Sequence, residues 1–133
     1  MQGKITKILK KTLTKEPQIK FVYLFGSIIK EKRYNDIDVG VYIAPLVEEN
    51  VFKITSDLKC KISRALMKIG LNIKPDNIDV VVLNLVAFTF LNRVFKEGVL
   101  IFDRDPDLRT SLIEKNSITY RECVGILREA EIL

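Results

Sequence analysis

The sequence predicts an α+β fold: a small mixed sheet of about four strands packed with helices. Short runs of β-branched and aromatic residues alternate with longer segments whose apolar residues recur every three or four positions. A short segment joins the first two runs and favours antiparallel pairing, whereas the long helical segment after the second permits a parallel pair. We expect a single domain over residues 1–133 with a helical C-terminal segment, because no repeat, linker or low-complexity stretch interrupts the pattern.

Three helical segments are predicted before the last strand. The first covers residues 2–14 and stops ahead of a proline. The second follows Pro45, extends for about twenty residues and is closed by Gly70. The third covers residues 87–96. We expect their apolar stripes to pack against the sheet.

The predicted strands are rich in Val, Ile and aromatic residues, and they cover residues 19–25, 36–44, 77–83 and 99–102. A last helix is expected to start at Pro106 with Asp105 as its N-cap. It continues either unbroken or as two helices divided near Asn116. Its apolar residues exceed one narrow stripe, which suits packing on the sheet or contact with a partner protein or second copy.

Composition limits the function classes. The 22 Lys and Arg against 17 Asp and Glu give a net charge of +5, which suits an acidic partner or nucleotide but is too small to indicate direct nucleic-acid binding. The lack of His removes the commonest general base and any His-containing zinc site. Cys60 and Cys123 are expected to be core or half-buried thiols in a reducing compartment. We expect a cytoplasmic protein without membrane contact, since no signal peptide or spanning apolar run is recognisable.

A small-residue bend follows the first predicted strand. Gly26 lets the backbone approach a ligand closely, and Ser27 offers a hydroxyl and an amide where a short helix begins. A Gly-Ser pair after a strand is most often only a turn, and the carboxylates that follow distinguish this one. We expect Gly26 and Ser27 to hold the phosphates of a nucleotide.

Two carboxylates open the second strand. Side chains of a strand alternate between faces, so Asp36 and Asp38 point to the same face, roughly 7 Å apart. Such a pair is often a solvated strand edge, but this one leads into the apolar run 39–43. Carboxylates at the start of a buried strand need a partner, and one or two divalent cations would satisfy them.

A third carboxylate repeats the pattern. Asp79 leads the apolar run of the third strand; beside the second strand it can share a metal and orient or deprotonate an attacking hydroxyl. Asp76 is the competing residue, but it lies in a Pro-Asp-Asn turn, where Asp commonly bonds to local backbone. In the spacer, Lys30, Lys32 and Arg33 can reach phosphates or a partner, and a solvated turn explains each equally well.

These residues resemble a known family. Gly-Ser, a spacer, Asp-x-Asp and a distant strand-leading Asp look like the DNA polymerase β nucleotidyltransferase superfamily. They look most like its minimal nucleotidyltransferase (MNT) branch, whose members are often antitoxins paired with a HEPN-domain ribonuclease toxin. Residues 95–105 and the long helix after them are similar to the C-terminal part of those antitoxins, so the resemblance covers nearly the whole chain. It implies the DNA polymerase β-like nucleotidyltransferase fold.

The resemblance also implies an activity. In the family the strand-leading Asp residues bind Mg²⁺ and the Gly-Ser pair contacts nucleotide phosphates, roles that would fall on Asp36, Asp38, Asp79, Gly26 and Ser27. Two Mg²⁺ sites are expected, with ATP as substrate. AMP would pass to a hydroxyl, expected to be that of a tyrosine, on a HEPN toxin and neutralise it in a hetero-oligomeric complex.

Some features allow other readings. The spacer 28–35 is shorter than the spacer of many antitoxins of this group, and their spacer contains a further Gly. The shorter spacer affects how the phosphates are held more than it affects the metal ligands. Arg104 can reach the nucleotide from a strand end or form a surface ion pair. The alternative functions are a non-catalytic antitoxin that acts by binding alone, and a small-molecule nucleotidyltransferase of the antibiotic-modifying type.

Overall fold

A computed structural model describes residues 2–30 and 36–129 of the chain. The strands are β1 (Ile19–Phe25), β2 (Ile37–Ile43), β3 (Ile78–Val82) and β4 (Val99–Asp103). The helices are α1 (Gln2–Leu13), α2 (Ser27–Lys30), α3 (Val51–Lys68), α4 (Phe88–Glu97) and α5 (Pro106–Glu129). Lys32 and Arg33, two of the predicted spacer contacts, lie outside the described residues.

The four strands form one mixed sheet in the order β3-β2-β1-β4. β1 runs antiparallel to both β2 and β4, and β2 runs parallel to β3. The parallel pair requires a crossover, which α3 supplies. The predicted α+β class and both predicted pairings are therefore confirmed.

Alternation along the strands sends apolar side chains to both faces of the sheet. On one face, Leu24 packs with buried residues of α1 and α3 such as Leu9 and Ile62. On the other face, Phe21 packs with Val94 of α4. Each fully buried aliphatic or aromatic side chain of this kind contributes roughly 1.5–3 kcal/mol. Helices thus cover both faces, and the two faces can carry different chemistry.

The C-terminal helix α5 is unbroken. The amide of Leu108 donates a hydrogen bond to the Asp105 carboxylate at 3.1 Å, so the predicted N-cap is confirmed. A break near Asn116 is not observed, because the buried Asn116 side chain donates to the carbonyl of Phe88 at 3.1 Å and ties α5 to the start of α4. Ile126 remains exposed on α5, so the expectation of a partner for this helix stays a prediction.

Arg104 has a role that neither sequence expectation foresaw. Its guanidinium donates to the carbonyl of Thr14, and to those of Glu16 at 2.6 Å and Ile19 at 3.0 Å. It also lies 5.3 Å from the centre of the Phe102 ring. The guanidinium is thus occupied by the carbonyls that follow α1, and Arg104 forms no ion pair with any described residue. The expectations of a nucleotide contact and of a surface ion pair are therefore both wrong.

The two cysteines of the chain differ in exposure. Cys123 is half-buried, but Cys60 is exposed, so the expectation of a core or half-buried thiol is wrong for Cys60, which does not belong to the buried face of α3. In the part of the chain that the structure describes, no helix combines the length and apolarity needed to cross a membrane.

A partly buried ion pair joins α5 to the sheet. The Nε of Arg109 donates to Oδ2 of Asp103 at 2.6 Å, and its Nη1 donates to the hydroxyl of Tyr23 at 2.9 Å. The bond to Asp103 is the main reason why the pKa of Arg109 lies above its ordinary value. The pair therefore links α5 to β4 and to β1.

Replacing Arg109 by Met is expected to lower the free energy of unfolding by about 2–4 kcal/mol, measured by urea denaturation. The reason is that the Asp103 side chain, only 9% exposed, would lose its charged partner. The control is Lys30→Met, which breaks the exposed pair between Lys30 and Glu97 and should cost less than about 1 kcal/mol. Equal losses in the two variants would contradict this account.

Candidate active site

Gly26 makes the bend at the end of β1. Its φ is +84°, in the left-handed region that favours glycine, and α2 begins at the next residue. A Cβ atom built at this position would lie 2.1 Å from Oδ2 of Asp38. Only glycine therefore leaves room for the Asp38 carboxylate to lie against the bend, which brings the two predicted halves of the site together.

The three acidic residues reach the same end of the sheet from neighbouring strands. Asp36 directly precedes β2, and Asp38 and Asp79 are the second residues of β2 and β3. Asp38 and Asp79 are paired in the parallel register, so their Cα atoms are about 4.8 Å apart and their side chains share a face. The side-chain Nδ2 of Asn77 donates a hydrogen bond to Oδ1 of Asp36 at 3.4 Å.

The carboxylates influence one another electrostatically. Burial raises the pKa of the Asp38 carboxyl above its ordinary value of 3.8, and the charges of Asp79 and then Asp36 raise it further. Asp36 and Asp79 are themselves exposed. The site therefore concentrates negative charge around one partly desolvated carboxylate, an arrangement that a bound cation would relieve.

A pocket of about 200 Å³ opens between the end of β1 and α4. Its described wall combines apolar, acidic and basic side chains: Phe25, Gly26, Lys30, Asp38, Phe90, Arg93, Val94 and Glu97. Three predicted residues, Gly26, Lys30 and Asp38, thus share one pocket. Ser27 begins α2 and, like Asp36 and Asp79, is not part of that wall. Lys30 pairs with Glu97 across the pocket at 3.0 Å.

Sequence reasoning missed the contribution of α4. Phe90 and Arg93 line the pocket together with Glu97, and their spacing of three and four residues places them on one face of the helix. That spacing is readable from the sequence. The missing information was that this face lies against the Gly26 bend, which depends on how α4 packs on β1.

The donor atoms of the site indicate which metal ion would suit it. Among residues 2–30 and 36–129, no group of three His, Cys, Asp or Glu side chains stands close enough together to hold a metal ion. The oxygen donors of Asp38 and Asp79, paired in register, are nevertheless of the kind that Mg²⁺ prefers. Asp76 lies in a 3₁₀ turn ahead of β3 and is exposed. The chemistry of the acids fits a divalent cation, and the metal role stays a prediction.

The chain is similar to known nucleotidyltransferases. A family model described as "Polymerase beta, Nucleotidyltransferase" matches residues 7–107. The comparison with curated proteins found no match.

Several solved structures share the fold. One contains tri-AMPylated Shewanella oneidensis HEPN toxin in complex with MNT antitoxin; its TM-score is 0.69 at 21% identity, over 98% of this chain and 95% of that chain. The structure of the toxin-antitoxin MntA-HepT has a TM-score of 0.65 at 21% sequence identity, over 98% of this chain and 95% of that chain. The structure of a toxin-antitoxin with AMP-PNP has a TM-score of 0.65 at 22% sequence identity, over 96% of this chain and 93% of that chain. These likenesses confirm the predicted DNA polymerase β-like fold. Because the family model also matches most of the chain, this protein belongs to the polymerase beta nucleotidyltransferase family.

Proposed function

We propose that this protein is an MNT-type antitoxin that transfers AMP from ATP to a hydroxyl, that of a tyrosine, on a HEPN ribonuclease toxin and thereby neutralises it. The observation that carries the proposal is the Asp38 carboxylate, which lies against Gly26 in a pocket and in register with Asp79. Two of the similar solved structures are described as holding an AMPylated HEPN toxin and the ATP analogue AMP-PNP. A cytoplasmic location accords with ATP as the substrate.

In this proposal Asp36, Asp38 and Asp79 would hold two Mg²⁺ ions, and their side chains would have to draw closer together around the ions than they stand in the structure. When bound, Mg²⁺ neutralises the triphosphate and polarises the α-phosphorus. Asp38, the most buried of the three acids, would be the fixed ligand. Asp79 is exposed, so an incoming hydroxyl can approach it, and it would orient that hydroxyl or accept its proton.

The remaining residues position the nucleotide. Gly26 and Ser27 would place backbone amides against the phosphates, and Arg33 would contact them from the spacer. Lys30 lines the pocket, and its pairing with Glu97 holds its ammonium group at the pocket edge. Arg93 adds a second positive charge in the pocket wall and would attract the triphosphate from α4.

The test uses ATP labelled at the α-phosphate, Mg²⁺ and the product of the neighbouring gene, which the proposal expects to be a HEPN protein. Label on the HEPN protein is expected from the unaltered enzyme, and none from ATP labelled at the γ-phosphate, because pyrophosphate leaves. Asp36→Asn and Asp38→Asn should each reduce labelling by at least about 100-fold. Asp57→Asn, an exposed change on α3, is the matched control and should label normally.

The other outcomes separate the alternatives. Tight binding to the HEPN protein without label would indicate an antitoxin that acts by contact alone. Label only on an added aminoglycoside would indicate a small-molecule nucleotidyltransferase. If Asp76→Asn abolished labelling and Asp79→Asn did not, the third acidic residue would be Asp76.

A further inference from the structure

The positive charge of the molecule is concentrated on one side of the sheet. Residues 2–16 and 51–68, which contain α1 and α3, hold ten Lys and Arg but only two Asp and Glu, whereas the rest of the chain holds twelve and fifteen. The net charge of +5 therefore combines a strongly basic face with a slightly acidic remainder. The candidate active site lies on the opposite face, against α4.

A groove of about 470 Å³ lies between α1 and α3 on this basic face. Aliphatic side chains of both helices line it, together with five exposed cations: Lys11, Lys15, Lys61, Arg64 and Lys68. We call it the basic groove. It is larger than the pocket beside Gly26, and none of its residues belongs to that pocket.

Most of these cations are available to a ligand. In the described ranges 2–30 and 36–129, Lys61 is the only one of the five that pairs with a carboxylate, that of Glu16 at 2.5 Å. Basic residues near a helix C-terminus are favourable by themselves, because they complement the helix dipole. The helix dipole alone therefore does not explain why cations from two helices face each other across a groove.

The cations form two rows. Lys61, Arg64 and Lys68 recur at spacings of three and four along α3, a rise of roughly 4.5–6 Å between neighbours. Lys11 and Lys15, four residues apart, form the opposite row. A ligand suited to both rows carries regularly repeated negative charge along an extended chain.

We propose that the basic groove binds the sugar–phosphate backbone of a nucleic-acid strand. Such a strand brings one negative charge per nucleotide, whereas an acidic protein segment would have to supply several carboxylates in a short stretch. The described wall of the groove contains no aromatic side chain for base stacking, so binding should be insensitive to sequence. The total charge predicted no nucleic-acid binding, and the distribution of that charge is the reason to revise this expectation.

The experiment measures fluorescence anisotropy of a labelled oligouridine of about 16 nucleotides with the full chain at several salt concentrations. The double variant Lys11→Glu/Arg64→Glu is expected to weaken binding at least tenfold. Its log–log salt slope should be less steep by about 1.4, since each lost phosphate contact on a single strand accounts for about 0.7. The milder Lys11→Gln/Arg64→Gln pair shows the same trend if the charge reversal disturbs folding.

The matched control is Lys74→Glu/Lys115→Glu, which changes the net charge equally at exposed positions outside the basic groove and should weaken binding less than about threefold. Unlabelled single-stranded DNA should compete about as well as RNA, because the phosphates are shared. Equal weakening by both double variants, no competition by DNA, or better competition by polyglutamate than by nucleic acid would each overturn the proposal. Labelling of the HEPN protein from ATP is measured separately, so failure here leaves the proposed transferase activity untouched.

Discussion

Gly26→Ala is expected to abolish nucleotidyl transfer, with a loss of at least about 100-fold, and to lower the free energy of unfolding by about 2–4 kcal/mol. Two physical effects add. Alanine is strained at a φ of +84°, and its Cβ would lie 2.1 Å from Oδ2 of Asp38. The carboxylate must then leave the bend, and the pocket loses its half-buried acid. Labelling of the HEPN protein and urea denaturation measure the two losses.

Gly70→Ala separates the two effects. Gly70 has nearly the same backbone conformation, with a φ of +86°, but a Cβ there meets no atom within 4 Å. This variant should therefore lose only the conformational term, about 1–2 kcal/mol, and keep full transfer activity. If both variants kept their activity, the contact between Gly26 and Asp38 would have no functional role.

The strands and their acidic residues were predictable because local sequence carries the signal. A run of β-branched and aromatic residues such as 37–43 favours a strand in almost any context, and strand alternation fixes the side of Asp38 relative to its neighbours. The parallel register of Asp38 with Asp79 required one further step, the crossover by α3. That step follows from general rules of chain connection.

Other features depend on contacts between distant segments and leave no local signal. Arg104 bonds to carbonyls after α1, about ninety positions earlier in the chain. Arg93 enters the pocket only because α4 packs beside the end of β1. The basic groove also depends on the fold. The charge of each segment can be read from the sequence, but the net charge sums over faces that only the fold separates.

Stability and function conflict at Asp38. In the absence of divalent cations, Asp38→Asn should raise the free energy of unfolding by at most about 1 kcal/mol, because solvent screens this partly exposed carboxylate, and the melting temperature by at most about 4 °C. The reason is that the variant removes a partly desolvated charge that Asp79 and Asp36 repel. Mg²⁺ should raise the melting temperature of the unaltered protein and leave that of the variant almost unchanged.

The pH dependence follows with a definite sign. Because the folded-state pKa of Asp38 lies above the ordinary 3.8, the folded protein holds this proton more tightly than the unfolded chain does. The stabilisation that comes from the protonated Asp38 carboxyl is therefore fully present below pH 3.8. It is lost as the pH rises through the folded-state pKa and the carboxyl ionises. The advantage of Asp38→Asn over the unaltered protein should grow across that interval in EDTA, measured by thermal melting with Asp57→Asn as control. A variant less stable than the unaltered protein at neutral pH in EDTA would show that the carboxylate is held by favourable contacts. In that case Asp38 would not need a cation for its own stability.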